Sequence, residues 1–284
     1  MKLRVKAASV AMLIILLALL WLEPWLWSGK AYRLPVLMYH HFDATSDLDT
    51  IVTEERFREQ MTALKEAGYT TVTLQQVLDY VEQGTKLPKK SILITMDDGY
   101  DSNVTIAAPI LEELGFCATV FVIGVDEGRE INIHSGNPIY PTRFAYEAAI
   151  PWLEKGVLEL QDHTFDMHQL AVEGFSGRDG ILPLESEDLV AYQAALREDL
   201  ALFRQRREEH GIMTPLVAMA YPFGFFSEES ETVLREAGLR VTFTTVERSN
   251  LLRVGEEGDL WNMGRFNVTD NCTGEELVWR LNRT

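Results

Sequence analysis

The chain has 284 residues, of which 46% are hydrophobic and 24% charged, so it is long enough to bury a sizeable core and is unlike a disordered or collagen-like chain. Acidic side chains outnumber basic ones by 43 to 26. The formal charge of −17 argues against a nucleic-acid partner, because phosphates are bound by clustered lysine and arginine. Two cysteines exclude a disulfide-dense scaffold and a four-cysteine zinc site, whereas six histidines suffice for one metal site.

Residues 1–30 predict a signal anchor. Three basic residues precede an uncharged apolar run over residues 7–22, and further apolar residues and tryptophans follow up to Trp27. This order is typical of a signal peptide or a membrane anchor. No small-residue cleavage site precedes Ser28, so we expect an uncleaved transmembrane helix rather than a removed signal or a buried core helix. Because positive residues stay inside, residues 31–284 are expected to form one domain outside the cytoplasm, held at the cell membrane, or secreted if the segment is cleaved.

Apolar strand-like runs alternate with helical patterns over the remaining chain. This alternation predicts an α/β domain with a mainly parallel sheet, either open or closed into a barrel. In such folds the functional side chains gather where the strands end. Strands are predicted at residues 35–39, 70–72, 91–96, 118–123, 157–160, 216–220 and 240–244. Helices are predicted at residues 53–67 with Thr53 as the cap, 74–82, 103–114, 143–155, 186–210 and 228–237. The charge-rich stretch at residues 198–210 predicts a solvated helical face.

Two adjacent carboxylates, Asp97 and Asp98, follow the buried strand at residues 91–96. On a regular strand their side chains would point to opposite faces, but Gly99 permits a sharp turn that could bring both into one pocket. One aspartate could then bind a metal while the other acts as a base. The alternative is an ordinary turn or cap at the end of a strand.

Two histidines, His163 and His168, follow the apolar strand predicted at residues 157–160. Their spacing of five residues places them about 140° apart on an ideal helix, so they do not form the helical zinc-binding pattern. A loop at the end of the strand could still direct both imidazoles to one ion. Two imidazoles and one carboxylate would leave coordination positions open, as expected of a catalytic site. A chance pair of surface histidines is the alternative.

These segments resemble the polysaccharide deacetylases, also called NodB-like carbohydrate esterases. Residues 95–100 (Thr-Met-Asp-Asp-Gly-Tyr) are similar to that family's Thr-Phe-Asp-Asp-Gly motif, and residues 163–168 are similar to its His-Ser/Thr-x-x-x-His motif. The resemblance implies a distorted (β/α) barrel after the N-terminal helix. It also implies that Asp97 is the general base and that Asp98, His163 and His168 hold the metal.

The third motif of that family, Arg-x-Pro-Tyr-Gly, is similar to residues 220–224, where Ala220 replaces the arginine. The resemblance implies that Phe223 supplies a backbone N–H to an oxyanion. Arg265 is our hypothesis for the cation that replaces the lost arginine and tethers Asp97, with a surface salt bridge as the alternative. Tyr100 and Phe223 are candidate faces for stacking against a sugar, although aromatic residues at strand ends are more often core.

The histidine motif that usually lies near the C-terminus is absent, since no histidine follows His210. Residues 37–41 (Leu-Met-Tyr-His-His) resemble it instead, as in the branch of the family with an apparently permuted motif order, which includes poly-N-acetylglucosamine deacetylases. This makes His40 the expected general acid and His41 the alternative, unless both histidines merely cap the strand.

The resemblance implies a metal-dependent hydrolase that removes N-acetyl groups from the N-acetylhexosamine units of a polysaccharide and releases acetate. Zn²⁺ is the expected ion, and Co²⁺, Ni²⁺ or Mn²⁺ would also suit two histidines and one aspartate. The alternatives are a silent glycan-binding relative and a hydrolase of another amide. The expected partners are the glycan and, through the N-terminal helix, the membrane. Residues 31–284 carry 22 basic and 42 acidic side chains, a charge suited to a glycan that becomes cationic as acetyl groups leave.

Overall fold

A computed structural model describes residues 31–44 and 50–283 of the chain. The anchor predicted at residues 1–30 lies outside them. Within these two ranges no helix combines the length and the apolar character that a membrane crossing requires.

Short strands and helices alternate along the described chain, as the sequence predicts. The strands are β1 (Ala31–Leu34), β2 (Val36–Tyr39), β3 (His41–Asp43), β4 (Ile51–Thr53), β5 (Thr70–Thr71), β6 (Ser91–Asp98), β7 (Ala118–Val122), β8 (Leu158–Asp162), β9 (Ala218–Ala220), β10 (Val241–Phe243), β11 (Asn250–Arg253) and β12 (Phe266–Asn267). The helices are α1 (Glu54–Glu66), α2 (Leu74–Gln83), α3 (Ala108–Leu114), α4 (Tyr146–Glu154), α5 (Leu189–Glu209), α6 (Glu228–Glu236) and α7 (Gly274–Leu281). A π-helical turn (Asn103–Ala107) leads into α3.

One parallel sheet organises the molecule, with the strand order β10-β9-β8-β7-β6-β2-β12 and with β5 also paired to β6. The sheet curls, because Met263, just before β12, forms a parallel bridge with Phe243 in β10. The segment from Met263 to Asn267 therefore joins one edge of the sheet to the other. The predicted parallel α/β sheet is confirmed, and its barrel-like form is a curled sheet in which this short segment links the two edge strands.

The central strand β6 is buried on both faces, which explains its continuous apolar run. Ile94 and Met96 belong to the hydrophobic cluster that contains the buried residues of α1 and α3, on one side of the sheet. Leu93 belongs to the second cluster, which also contains Phe121 and Phe243. Since side chains alternate along a strand, Asp97 extends from the same face as Leu93, into the second cluster.

Several elements differ from the sequence predictions. Both aspartates lie within β6 rather than after it, and α4 begins three residues later than predicted, at Tyr146, so that Arg143 lies in a loop and forms a bridge with Tyr100. The sequence patterns also missed β1, β3, β4, β11, β12 and α7. The missed strands have two to four residues, too few for an alternating pattern to be recognised.

Candidate active site

The carboxyl ends of β2, β6, β8 and β9 meet at one edge of the curled sheet. Tyr39, the last residue of β2, is paired with Met96 in β6, so the residues that follow them, His40 and Asp97, lie side by side. Across the sheet, the residue after β8, His163, reaches the end of β9, where its Nδ1 lies 2.8 Å from the carbonyl oxygen of Ala220. The topology therefore gathers the predicted site residues at one place.

Asp97 is bound by Arg265 in a buried ion pair. The two terminal guanidinium nitrogens of Arg265 donate to the two carboxylate oxygens of Asp97 at 2.7 Å each. The third nitrogen, Nε, donates to the carbonyl oxygen of Thr244 at 3.0 Å. Neither residue is accessible to bulk water, with exposures of 0% for Arg265 and 2% for Asp97. The alternative of a surface salt bridge is wrong for Arg265.

The ion pair sets the charge state of Asp97. Burial alone would raise the pKa of this carboxyl group, but the charge and hydrogen bonds of Arg265, with a further contribution from His163, lower the pKa below its ordinary value. Asp97 is therefore a carboxylate at neutral pH. A bidentate pair also fixes the plane of the carboxylate, since guanidinium and carboxylate match in geometry.

Asp98, His163 and His168 form a compact group beside this pair. The Oδ1 atom of Asp98 lies 3.4 Å from Nε2 of His163 and 3.3 Å from Nε2 of His168, and the three potential ligand atoms lie within 4.8 Å of one another. Because a carbonyl oxygen only accepts hydrogen bonds, the contact with Ala220 puts a proton on Nδ1 of His163, so Nε2 carries the lone pair that a metal ion would use when the ring is neutral. This donor set fits a divalent metal ion.

The pKa values in this group also suit metal binding. Burial works to raise the pKa of Asp98, but its contacts with the two histidines and Arg143 hold the pKa well below its usual range. Burial lowers the pKa of His168 to about 4, so this ring is neutral at pH 7. For His163, burial lowers the pKa, and the hydrogen bond with Asp98 more than offsets that effect. The group therefore offers one anionic oxygen and at least one neutral imidazole.

Three residues at these strand ends adopt left-handed backbone angles that non-glycine residues rarely take. They are Asp98 with φ 73°, Thr164 with φ 72° and Phe223 with φ 57°. Gly99 takes a positive φ of 71°, as the predicted turn requires, but the turn begins one residue earlier, at Asp98, and this interrupts the strand alternation that would separate the two carboxylates. Strain of this kind persists only where the surrounding structure enforces it, and it often marks functional sites.

The two candidate general acids have different environments. The ring of His41 is held on both sides, with Nδ1 2.9 Å from Oγ of Ser102 and Nε2 3.5 Å from Asp43. His40 is partly exposed at the site, and its Nδ1 has no hydrogen-bond partner among the described residues. Only His40 is therefore free to interact with a further group.

The aromatic candidates also differ. The Phe223 ring packs 4.5 Å from the His168 ring and is 37% exposed, so part of it faces solvent. The Tyr100 ring lies between other groups, with the Arg143 guanidinium 3.7 Å from its centroid and the His41 ring at 5.0 Å. A sugar could stack on Phe223, whereas Tyr100 positions Arg143.

Sequence reasoning missed two residues that shape the site. Arg143, taken for the start of a helix, reaches within 3.9 Å of Asp98. Asp199 in α5, taken for part of a solvated helical face, is buried and accepts the backbone N–H groups of Phe165 and Asp166 at 2.8 Å each. The loop between His163 and His168 is thus fixed by a side chain from a distant helix. A single acidic residue in a charge-rich helix gave no signal of this role.

A second cluster of potential ligands, Glu127, Glu147 and His210, lies elsewhere in the described chain. Arg206 donates from Nε at 3.0 Å and from a terminal nitrogen at 2.6 Å to one oxygen of Glu127, and the N–H of Tyr146 donates to the other. Because both oxygens are occupied, this cluster fastens α5 to the start of α4 and does not resemble a metal site.

We predict that Asp199→Asn weakens metal binding at Asp98, His163 and His168. The two N–H groups of the loop bind different oxygens of Asp199, so an asparagine in the same orientation keeps one of these hydrogen bonds and turns its NH₂ group toward the other N–H. Losses of about 10- to 100-fold in metal affinity are typical when a group that orients the ligands is changed. Competition with a chromogenic chelator measures the affinity, and Glu198→Gln, an exposed neighbour in α5, is the control. Unchanged affinity in a folded Asp199→Asn protein would contradict the assignment.

Comparisons with known proteins find similar sequences and similar folds. The chain is 27% identical over 198 residues to the poly-β-1,6-N-acetyl-D-glucosamine N-deacetylase of Staphylococcus aureus (strain MRSA252), covering 70% of this chain and 62% of that enzyme. The chain thus spans less than two thirds of that relative. Several solved structures share the fold, of which two are compared. IcaB from Ammonifex degensii has a TM-score of 0.71 with 24% identity, covering 88% of this chain and 97% of that one.

The other solved structure is the de-N-acetylase from Aggregatibacter actinomycetemcomitans. It has a TM-score of 0.72 with 18% identity, covering 88% of this chain and all of that one. The family model described as polysaccharide deacetylase matches residues 84–242, which is more than half of the chain. The two aspartates of β6, both ligand histidines and Phe223 lie inside the match, whereas His40 and Arg265 lie outside it. The chain belongs to the polysaccharide deacetylase family.

Proposed function

We propose that this chain hydrolyses the N-acetyl groups of N-acetylglucosamine units in a polysaccharide, with poly-N-acetylglucosamine as the first substrate to test. The observation that carries the proposal is the placement of Asp97, ionised and fixed by Arg265, directly beside the Asp98, His163 and His168 group. A base next to a metal site is what hydrolysis of an unactivated amide requires. The similarity to poly-N-acetylglucosamine deacetylases supports the choice of substrate.

In this proposal Asp98, His163 and His168 hold a divalent ion, for which Zn²⁺ is our first candidate. The bound ion would polarise the acetamide carbonyl and acidify the attacking water. Asp97 accepts the proton of that water, and Arg265 keeps the accepting carboxylate in position. The backbone N–H of Phe223 donates to the oxyanion that develops as the carbonyl carbon becomes tetrahedral.

His40 completes the reaction by protonating the departing nitrogen. Its position after β2 puts it beside Asp97, the proposed base. Its ring is partly exposed and its buried Nδ1 has no hydrogen-bond partner among the described residues, whereas both nitrogens of His41 have neighbours within the protein. Protonation allows the C–N bond to break, so that acetate and a free amino sugar leave.

The two alternative functions are glycan binding without activity and hydrolysis of another amide. A glycan-binding relative without activity would have no use for a buried base, and Asp97 is held ionised by a fully buried arginine. A hydrolase of another amide would share the metal site and differ in the glycan surfaces, of which the partly exposed Phe223 is one.

We further propose that residues 31–284 form the catalytic domain and that residues 1–30 hold it, outside the cytoplasm, at the membrane. The basic and apolar order of those residues supports this.

We predict acetate release from poly-N-acetylglucosamine by the metal-loaded protein, and little or none from chitooligosaccharides, peptidoglycan or acetylated peptides. Asp98→Asn should lose both metal and activity, whereas Asp97→Asn should lose activity and keep most of the metal, because only Asp98 is a ligand. Enzymatic acetate assays with parallel metal analysis distinguish these outcomes. A metal-loaded protein that releases no acetate from any of the glycans would overturn the proposal.

We predict that His40→Gln lowers kcat by about 100- to 10,000-fold, the usual contribution of a general acid. The matched variant is His41→Gln, which removes the contacts with Ser102 and Asp43. It should lower the unfolding temperature while keeping kcat close to that of the parent protein. Both are compared by acetate release and thermal unfolding. If His41→Gln loses activity while His40→Gln retains it, the two roles are reversed.

A further inference from the structure

A groove of about 280 Å³ opens beside the metal group. Its walls include part of the loop at residues 128–141 and the loop between the two ligand histidines, and His168 lies on the border that it shares with the metal group. We call it the loop groove. The polar and aromatic residues that define it here are Asp126, His134, Arg143, Asp166, Gln169 and Phe175.

Two buried acceptor atoms in the loop groove lack partners. Oδ1 of Asp126 and Oε1 of Gln169 have no hydrogen-bond partner among the residues that the structure describes, although the two side chains are only 9% and 7% exposed. The orientation of Gln169 is fixed, because its nitrogen donates to the carbonyl oxygen of Asp166 at 2.9 Å. A buried polar atom without a partner is costly, so these atoms point to a ligand that donates hydrogen bonds.

The charges around these atoms favour a cation. Asp126, Asp166 and Glu173 contribute three carboxyl groups to the walls, of which Asp166 already contacts Nε2 of His134 at 2.7 Å. The one arginine, Arg143, is already engaged, since it stacks on Tyr100, lies 3.9 Å from Asp98 and donates to a backbone carbonyl oxygen. Its Nε has no partner among the described residues and could donate to a sugar hydroxyl.

We propose that the loop groove is a subsite for a sugar unit whose amine is already free, next to the unit that is being deacetylated. The ammonium group donates to Asp126 and Gln169, and the hydroxyls meet Arg143. This inference rests on the proposed function, because free amines are the product of that reaction. Each turnover would then create a unit that the groove prefers, so deacetylation would extend from amines already formed.

The chemistry of Asp126 supports the assignment. Burial raises the pKa of this carboxyl group, as do the negative charges of Asp166 and Asp98, while Arg143 partly opposes them. An ammonium ion would relieve this repulsion by pairing with the carboxylate. An N-acetylated unit has a single N–H and a bulky methyl and carbonyl in its place, so it would leave at least one of the two acceptors unpaired.

The first test compares two glycans that the enzyme cannot hydrolyse. A β-1,6-linked glucosamine hexamer and a glucose hexamer of the same linkage are titrated into the metal-loaded, full-length protein by calorimetry. We expect the glucosamine hexamer to bind at least about tenfold more tightly, because hydrogen bonds to charged groups are worth more than those to hydroxyls. Equal affinities would overturn the proposal.

The second test locates the binding. Asp126→Asn keeps the shape of the side chain and removes its charge, so we expect the affinity for the glucosamine hexamer to fall about tenfold or more. Glu66→Gln removes the same charge from an exposed site in α1 and should leave the affinity unchanged. If both variants bind as tightly as the parent protein, the amine is bound elsewhere, for example by the metal ion, and the proposal is wrong.

Failure of this proposal can be distinguished from failure of the proposed function. Binding of the glucosamine hexamer requires no acetate release. A protein that binds the hexamer through Asp126 but releases no acetate would therefore support the subsite and contradict the proposed deacetylase function. Acetate release from the acetylated polymer, without a preference for binding the glucosamine hexamer, would support the deacetylase function and contradict the subsite.

Discussion

The buried ion pair between Asp97 and Arg265 is the interaction on which both the fold and the site depend. Two charges removed from water cost several kcal/mol each, and the pair is tolerated because its geometry is bidentate and Thr244 accepts a further hydrogen bond from the arginine. Asp97 lies in the central strand, and Arg265 lies in the segment that joins the two edges of the sheet. The same contact therefore closes the fold and orients the proposed base.

The pair also supplies Asp97 with a guanidinium partner although the third motif has no arginine. Ala220 occupies that position, and its carbonyl oxygen instead orients His163. The guanidinium comes from the far end of the sequence and enters the same interior, where it lies about equally far from the rings of Phe121 and Phe243. What the site requires is a cation against Asp97, and any segment that reaches the inside of the curled sheet could supply it. Asp98 thereby remains free to bind a metal.

Much of this arrangement could be predicted from the sequence. The buried strand before Asp97 and the alternation of strands and helices indicated a parallel sheet, and the strand-end rule placed the aspartates and histidines together. The left-handed backbone of Asp98 could not be predicted, because residues other than glycine rarely adopt it. Likewise, Asp199 supports the histidine loop from a helix whose charged pattern suggested only a solvated surface. Long-range contacts of single residues leave no periodic signal.

The measurement that most directly tests the central role of the ion pair is the pH dependence of acetate release in Arg265→Met, with exposed Arg197→Met as the control. Because burial raises and Arg265 lowers the pKa of Asp97, losing the arginine should shift the acidic limb of the rate profile to higher pH. A displaced base should also lower kcat by about 100-fold. Metal content should be retained, because Arg265 touches none of the ligands. An unchanged profile and an unchanged kcat would contradict the account.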